Sequence, residues 1–322
     1  MSDMIKYNAK LFSTFGQNAS VFGNALLTLH DKYNVKVLSS DMSVGAGLSK
    51  FKSTYPQDFF NVGIAEQNLI GVASGMASEG MKCIAVAQAC FISMRSFEQV
   101  RQYLGYMKFP VIIVGINSGF ALTYFGNTHY AIEDIALMRS IPGMTILSPA
   151  DAGEAVKAVD TALQISGPVY LRLSGTTNNP VVYPDNFEYD YTKSNIVFDC
   201  GNDVTIFATG AMVFNSVKAA EMLKEENVNA KVVDVHCIKP LDMDAIANAM
   251  TSKLLVTVEE HSIIGGLGAG VAESISSIGG FNRLIRLGVN DCFSSVGDYN
   301  YLIEQHGLAP DAIKDRIIKE LH

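Results

Sequence analysis

The chain has 322 residues, 48% hydrophobic and 17% charged, with a formal net charge of −8. That length suits two domains with well-filled cores, and the low charge fraction points to surface covered by partner subunits. The negative balance argues against nucleic acid or an anionic membrane as partner. No run of about 18 uninterrupted apolar residues is present to span a bilayer.

The N-terminus shows no basic segment followed by an apolar run, so no secretory signal is expected and the cytoplasm is the expected compartment. The five cysteines are scattered: Cys83, Cys90, Cys200, Cys237 and Cys292. They form no Cys-x-x-Cys pair or Cys/His cluster. Buried free thiols in a reducing compartment are expected, with neither disulfides nor zinc.

In chain order, Ala19, Val21, Phe22, Ala25, Leu26 and Leu29 give a helical stripe after a polar lead. A short strand follows at 35–38, ending in Ser39-Ser40-Asp41-Met42. Residues 43–58 read as loop. Asn61-Val62-Gly63-Ile64-Ala65-Glu66-Gln67-Asn68 then opens a helix to about residue 80. Ala73, Ser74, Gly75, Ala77 and Ser78 leave little bulk on it, so another backbone can approach. Glu66 in its first turn has two readings. It is an acid favoured by the positive end of the helix dipole, or a buried carboxylate whose partner lies outside its own segment.

A regular alternation comes next. A strand is predicted at 83–87, a helix at 92–107 and an apolar strand at 110–116 of the kind buried on both faces of a parallel sheet. A long loop at 117–131 carries His129. A helix (133–140), a strand (144–148), a helix (151–165, capped by Asp151) and a strand (169–173) complete the first half. Residues 174–195 turn rich in Asn, Pro, Tyr and Asp and read as a linker. Strands at 204–208, 231–236, 254–259 and 284–287 alternate with helices at 213–225, after Pro240-Leu241-Asp242, at 269–277, 301–306 and 312–321. The expectation is an α/β chain of two doubly wound domains with mainly parallel sheets: 1–180, a linker at 181–195, and 196–322.

In such sheets ligands bind beyond the carboxyl ends of the strands. Those ends are Asp41, 87–91, 117–129 and Ser148, and nothing intrinsic places Glu66 among them. The chain has no Gly-x-x-x-x-Gly-Lys-Ser/Thr, no Gly-x-Ser-x-Gly, no His-Glu-x-x-His and no clean Gly-x-Gly-x-x-Gly. The glycines at 265–270 are expected to shape a close strand-to-helix turn. His129 is the candidate functional histidine, and His261 is expected to be structural or interfacial. Phe91 and Phe97 near the same edge are either core or pocket.

Val62-Gly63-Ile64-Ala65-Glu66-Gln67-Asn68, Gly75-Met76-Ala77, Phe91, Phe97, Gly126-Asn127-Thr128-His129, Ser148-Pro149-Ala150-Asp151 and Gly167-Pro168 occur in a fixed order. That order resembles the pyrimidine-binding domain of transketolases and deoxyxylulose-phosphate synthases. Glu259-Glu260-His261 and Gly265-Gly266-Leu267-Gly268 resemble their C-terminal domain. The resemblance implies a thiamine-diphosphate enzyme moving a two-carbon ketol unit between sugars. The family's Gly-Asp-Gly…Asn signature, which holds Mg²⁺ (or Ca²⁺) and the diphosphate, is missing. The chain therefore looks like the C-terminal subunit of a split transketolase. A separate N-terminal subunit would hold the metal, in an α2β2 assembly with self-association through this chain and no metal ligand of its own.

The resemblance assigns Glu66 to the carboxylate that hydrogen-bonds N1′ of the aminopyrimidine, a task suited to a desolvated acid. It assigns Phe91 and Phe97 to the pyrimidine pocket, Asp41 and Met42 to the cofactor's flank, and His129 to a substrate hydroxyl. Four positions depart from the family. Gly175, Asn117, Phe125 and Met94 stand where arginine, histidine, aspartate and arginine are expected. Each loss removes a charge-assisted contact of roughly 1.5–3 kcal/mol, which points to a modified or non-phosphorylated sugar, or to arginines supplied by the partner. Two competing readings are the β subunit of a 2-oxo-acid dehydrogenase first component and a non-catalytic regulatory subunit.

Overall fold

The computed structural model describes residues 7–12, 14–174 and 180–322. In the first half, strands β1 (Val35–Ser39), β2 (Phe59–Asn61), β3 (Lys82–Gln88), β4 (Ile112–Ser118), β5 (Thr145–Leu147) and β6 (Val169–Ser174) follow one another. In the second come β7 (Asn195–Asp199), β8 (Val204–Ala208), β9 (Ala230–Asp234), β10 (Cys237–Lys239), β11 (Leu254–Ser262) and β12 (Leu284–Val289). They form a sheet ordered β10-β5-β6-β4-β3-β1-β2 and a second ordered β12-β11-β8-β9-β7. Every pairing is parallel except the edge pairs β10–β5 and β7–β9.

Side chains of β3 and β4 alternate between two cores, as the two-residue period of a strand requires. Ile84, Val86, Ile112, Val114 and Ile116 pack into the core that includes the helices Gly23–Tyr33 and Ala152–Ala162. Cys83, Ala85, Ala87, Val111 and Ile113 pack into the other, with Leu69, Ile70 and Ala73 of the helix Glu66–Ser78. All are essentially removed from water, each large aliphatic one contributing about 1.5–3 kcal/mol. The second sheet has its own pair of cores.

Several predicted elements change on folding. The helix predicted at 92–107 is three pieces, Ala89–Met94, Phe97–Gln99 and a widened π-helical turn at Val100–Tyr106. Ser93 and Ser96 hydroxyls bond back to the carbonyls of Ala89 and Ile92, a competition that bends helices. The loop predicted at 43–58 contains the helix Ser49–Thr54 and leads into β2. The strand predicted at 231–236 ends at Asp234. The chain then crosses to the first sheet as β10, so one edge of the first sheet comes from the second half of the sequence.

The predicted linker segment is strapped down on both sides. Asp151 accepts from the N–H groups of Val182 and Tyr183, while the Tyr183 hydroxyl reaches Asp234 at 2.6 Å. The expectation of buried thiols holds for Cys83, Cys90 and Cys237, whose pKa values burial raises to about 11, 12 and 12. It fails for Cys292, which is exposed on an irregular stretch after β12, and Cys200 is half-buried.

Candidate active site

Glu66 begins its helix beside the carboxyl end of β1, and the placement has a local cause. The Ser40 hydroxyl donates to the Gly63 carbonyl at 2.9 Å and accepts from the Ala65 N–H at 3.1 Å. Asp41 and Asn61 exchange two further hydrogen bonds. These clamps tie the end of β1 to the turn before the helix and bring Glu66 to the strand-end edge. The sequence showed the helix but not the clamp. The signal was there in Ser40 and Asn61, two short polar side chains next to strand ends.

Glu66 is 3% exposed, a buried carboxylate in the first turn of its helix. Its Oε2 accepts from Arg95 Nη1 at 2.7 Å. Among the described residues no hydrogen bond reaches its Oε1. The Arg95 guanidinium lies 4.3 Å from the Phe91 ring centroid. The far side of the cluster is His129, whose ring meets Phe91 edge-on at 5.2 Å. Glu66, Arg95, Phe91 and His129 thus form one continuous group. Arg95 is the member that sequence reasoning missed. It projects here because the helix breaks at Ser96.

His129 is half-buried, and its Nδ1 lies 2.9 Å from the Thr128 hydroxyl. A hydroxyl held there leaves Nε2 to face a ligand. Phe125, 63% exposed, tilts against the same imidazole at 4.8 Å. Met42 is half-buried beyond β1, with its N–H on Ser39. Asp41 is exposed with a left-handed backbone (φ 56°). Phe97 is not brought to this group, but packs against the core beside the Glu66 helix. Of the four departures, Met94 and Phe125 are exposed, Asn117 is half-buried at φ 56°, and Gly175 lies outside the described residues.

The loop bearing His129 is held from behind by the second half of the chain. Glu260, fully buried, accepts from the Phe120 N–H and, at 2.7 Å, from the Tyr299 hydroxyl. Burial raises its pKa. Gly119 (φ 63°) is required at that contact, since a Cβ there would lie 2.2 Å from Glu260 Oε1. Asn127 and Ser294 exchange two hydrogen bonds, and Phe120 stacks on His306 at 5.2 Å. Beneath the loop, Asp134 receives Arg172 Nε at 2.8 Å and the Tyr170 hydroxyl at 2.6 Å.

The remaining motif residues are structural. Glu259 takes the N–H groups of Leu267 and Gly268 at the start of the helix Leu267–Ser277. The glycine turn at 265–268 therefore cradles the chain's own carboxylate and no phosphate. Burial raises Glu259 to about 7 and lowers His261 to about 4. His261 Nε2 accepts from the Ala136 N–H, at the junction of the two halves. Glu154, Asp234 and His236 also meet fully buried, with potential ligand atoms within 4.8 Å of one another. His236 Nδ1 lies 3.4 Å from Glu154 Oε1. Burial raises both carboxyl pKa values, so this group reads as a proton-sharing cluster of the interior.

The residues present fit one side of a planar heteroaromatic cofactor. There is a dry carboxylate with an oxygen to spare, an aromatic face beside it and a methionine on the flank. No cluster of oxygen ligands accompanies them among the described residues.

Comparison with known proteins agrees. The family description "Transketolase, pyrimidine binding domain" matches residues 17–178, and "Transketolase, C-terminal domain" matches residues 192–313. One of the subunits of the apulose-4-phosphate transketolase of Phocaeicola vulgatus is 38% identical over 258 residues, covering 79% of this chain and 82% of that protein. A 6-deoxy-6-sulfo-D-fructose transketolase subunit of a Clostridium species is 37% identical over 285 residues, covering 87% and 86%. A solved split-gene transketolase, an inactive β4 tetramer, superposes with a TM-score of 0.84 at 36% identity, covering 94% of this chain and 98% of that one.

Proposed function

The chain belongs to the transketolase family, and from that premise we propose that it is the pyrimidine-side subunit of a split, thiamine-diphosphate-dependent transketolase. The observation that carries the reading is Glu66: a carboxylate 3% exposed at the strand-end edge, with Phe91 and His129 in line with it. Residues 1–180 are taken as the cofactor half and 196–322 as the half that braces it, with 181–195 between. Thiamine diphosphate, when bound, would supply a ring carbon acidic enough to lose its proton and serve as the nucleophile toward a ketose carbonyl.

This chain's own residues do the rest. Glu66 holds a proton against the pyrimidine N1′, and water does not compete because the carboxylate is buried. Phe91 supports the ring, with Met42 on the flank and Asp41 beside it. Phe97 acts behind the pocket by filling the core. His129 offers Nε2 to a substrate hydroxyl, its ring fixed by Thr128 and wedged between Phe91 and Phe125.

Mg²⁺ and the diphosphate belong to a separate N-terminal subunit, in an α2β2 assembly. The solved split-gene relative, an inactive tetramer of β chains, supports the view that this chain associates with itself and is inactive alone. A cytoplasmic enzyme is in keeping with the buried free thiols.

Two exposed apolar side chains, Phe125 and Met94, stand where family members place charge, and Phe125 touches the substrate histidine. The sugar is therefore a modified one, in line with the apulose phosphate and sulfofructose named for the two relatives. The assay is ketol transfer by the reconstituted pair. Glu66→Gln should lower turnover at least about a hundredfold with assembly intact. Undiminished turnover would remove Glu66 from the chemistry, and normal turnover of xylulose 5-phosphate with ribose 5-phosphate would remove the modified-sugar reading.

A further inference from the structure

Arg95 makes two contacts at once. It donates Nη1–H to Glu66 Oε2 at 2.7 Å, and its guanidinium lies over Phe91 at 4.3 Å. A planar group that stacks on Phe91 and hydrogen-bonds Glu66 is also what the proposed function requires of the aminopyrimidine. At that face and at Oε2 the guanidinium and the ring exclude each other. We propose that the Arg95 guanidinium is a placeholder for the cofactor ring in the free subunit, and that it leaves Glu66 and Phe91 when thiamine diphosphate enters. The proposal rests on the thiamine reading of the site and adds a gate to it.

The physical case has two parts. First, a carboxylate 3% exposed needs a counter-charge or a hydrogen-bond donor while no ligand is present. Arg95 supplies both from the neighbouring helix. Second, the side chain of Arg95 is 45% exposed, so a solvated position is open to it. Its backbone stays fixed, since the Gln67 amide holds the Arg95 carbonyl at 3.2 Å and the Arg95 N–H stays on Phe91. The motion is then a rotamer change on a fixed stem.

Competition of this kind lowers apparent cofactor affinity by the fraction of molecules whose site is open. With the placeholder closed in about nine molecules of ten, removing it tightens binding about tenfold. The test uses the pair assembled with its N-terminal subunit and reads two quantities: thiamine diphosphate affinity by titration calorimetry in Mg²⁺, and melting temperature with and without saturating cofactor. Arg95→Ala should bind the cofactor about tenfold more tightly. It should melt lower than wild type when cofactor-free, because Glu66 is left buried and unpaired, and no lower when saturated. Arg95→Gln keeps the length and one donor, and should fall between the two. If Arg95→Ala does not assemble, Arg95→Gln is read by the same criteria.

Weaker binding in the variants overturns the placeholder and makes Arg95 a standing support of the site. An equal melting loss in both states does the same. A wild-type pair that binds no thiamine diphosphate overturns the functional reading, and the placeholder with it.

Discussion

Asp134→Asn isolates the ion pair beneath the His129 loop. Asp134 is fully buried and Arg172 is 3% exposed. Their 2.8 Å contact is shared with the Tyr170 hydroxyl at 2.6 Å, and Arg172 Nη2 also reaches the carbonyls of Ala131 and Glu260 at 3.1 Å each. Asparagine keeps the shape and one acceptor but removes the charge, so a guanidinium remains in the interior with carbonyls and no direct counter-ion. Breaking a buried pair in this one-sided way costs about 3–5 kcal/mol. That is a large share of the roughly 5–15 kcal/mol typical of a folded chain, and on the order of 10 °C in melting temperature for a unit of this size. The assay is urea or thermal unfolding followed by circular dichroism, with Arg172→Met and the double variant completing a cycle. The double variant should recover most of the loss, since Met fills the space without needing a charge. A single-variant loss below about 1 kcal/mol, or a double variant no better than Asp134→Asn, refutes the assignment of this pair as the support under the loop.

Gly119→Ala places a methyl 2.2 Å from Glu260 Oε1 at a positive φ, so the loop should detach from the second half at a cost of about 1–3 kcal/mol. Protease nicking between 117 and 131 should rise, and unchanged resistance counts against the contact. His129→Asn should lower kcat/KM of the reconstituted pair by about a hundredfold while leaving cofactor affinity within about twofold of wild type; a matching loss of cofactor affinity moves His129 out of the substrate role. Glu259 gives a pH test. Its native pKa of about 7 lies above its ordinary value, so between about pH 4.5 and 7 the native state binds the extra proton and stability falls as pH rises. His261, lowered to about 4, does the reverse between about pH 4 and 6.5, since the unfolded chain binds its proton there first. Glu259→Gln removes only the falling contribution, so its melting temperature relative to wild type should climb from about pH 4.5 to 7. A flat difference refutes it.

The fold was legible where the pattern was strong. The apolar runs at 83–87 and 110–116 read as strands, the second as one buried on both faces, and the structure buries both β3 and β4 that way. Legibility failed where short-range polar chemistry or partner strands decide the outcome. The break at Ser96 depends on two serine hydroxyls returning to the backbone, and β10 is three residues long with a partner strand far earlier in the chain, at Thr145–Leu147. The site divides in the same way. Glu66, Phe91 and His129 were readable as residues of the right kind in family order. The Arg95 contact was not, because its direction depends on that same helix break. Phe97, left open between core and pocket, packs its half-buried ring against the core.

These placements explain how such a site can be divided between two chains. Behind it, Glu260, Tyr299 and the Asp134–Arg172 pair hold the His129 loop with buried contacts that need no other subunit. In front, the helix beginning at Glu66 leaves Val72 exposed, and a Cβ at Gly71 or Gly75 would meet nothing within 4 Å. Ile64, Val44 and Tyr106 are 76%, 79% and 80% exposed. Apolar surface left open in this way is unfavourable in water and is what a closely approaching backbone would cover. On the proposed function, the rigid half of the site lies within this chain, and the face left open is the one that a partner would cover. A split at this seam would keep these contacts of the loop within one chain and leave the closing of the pocket to association.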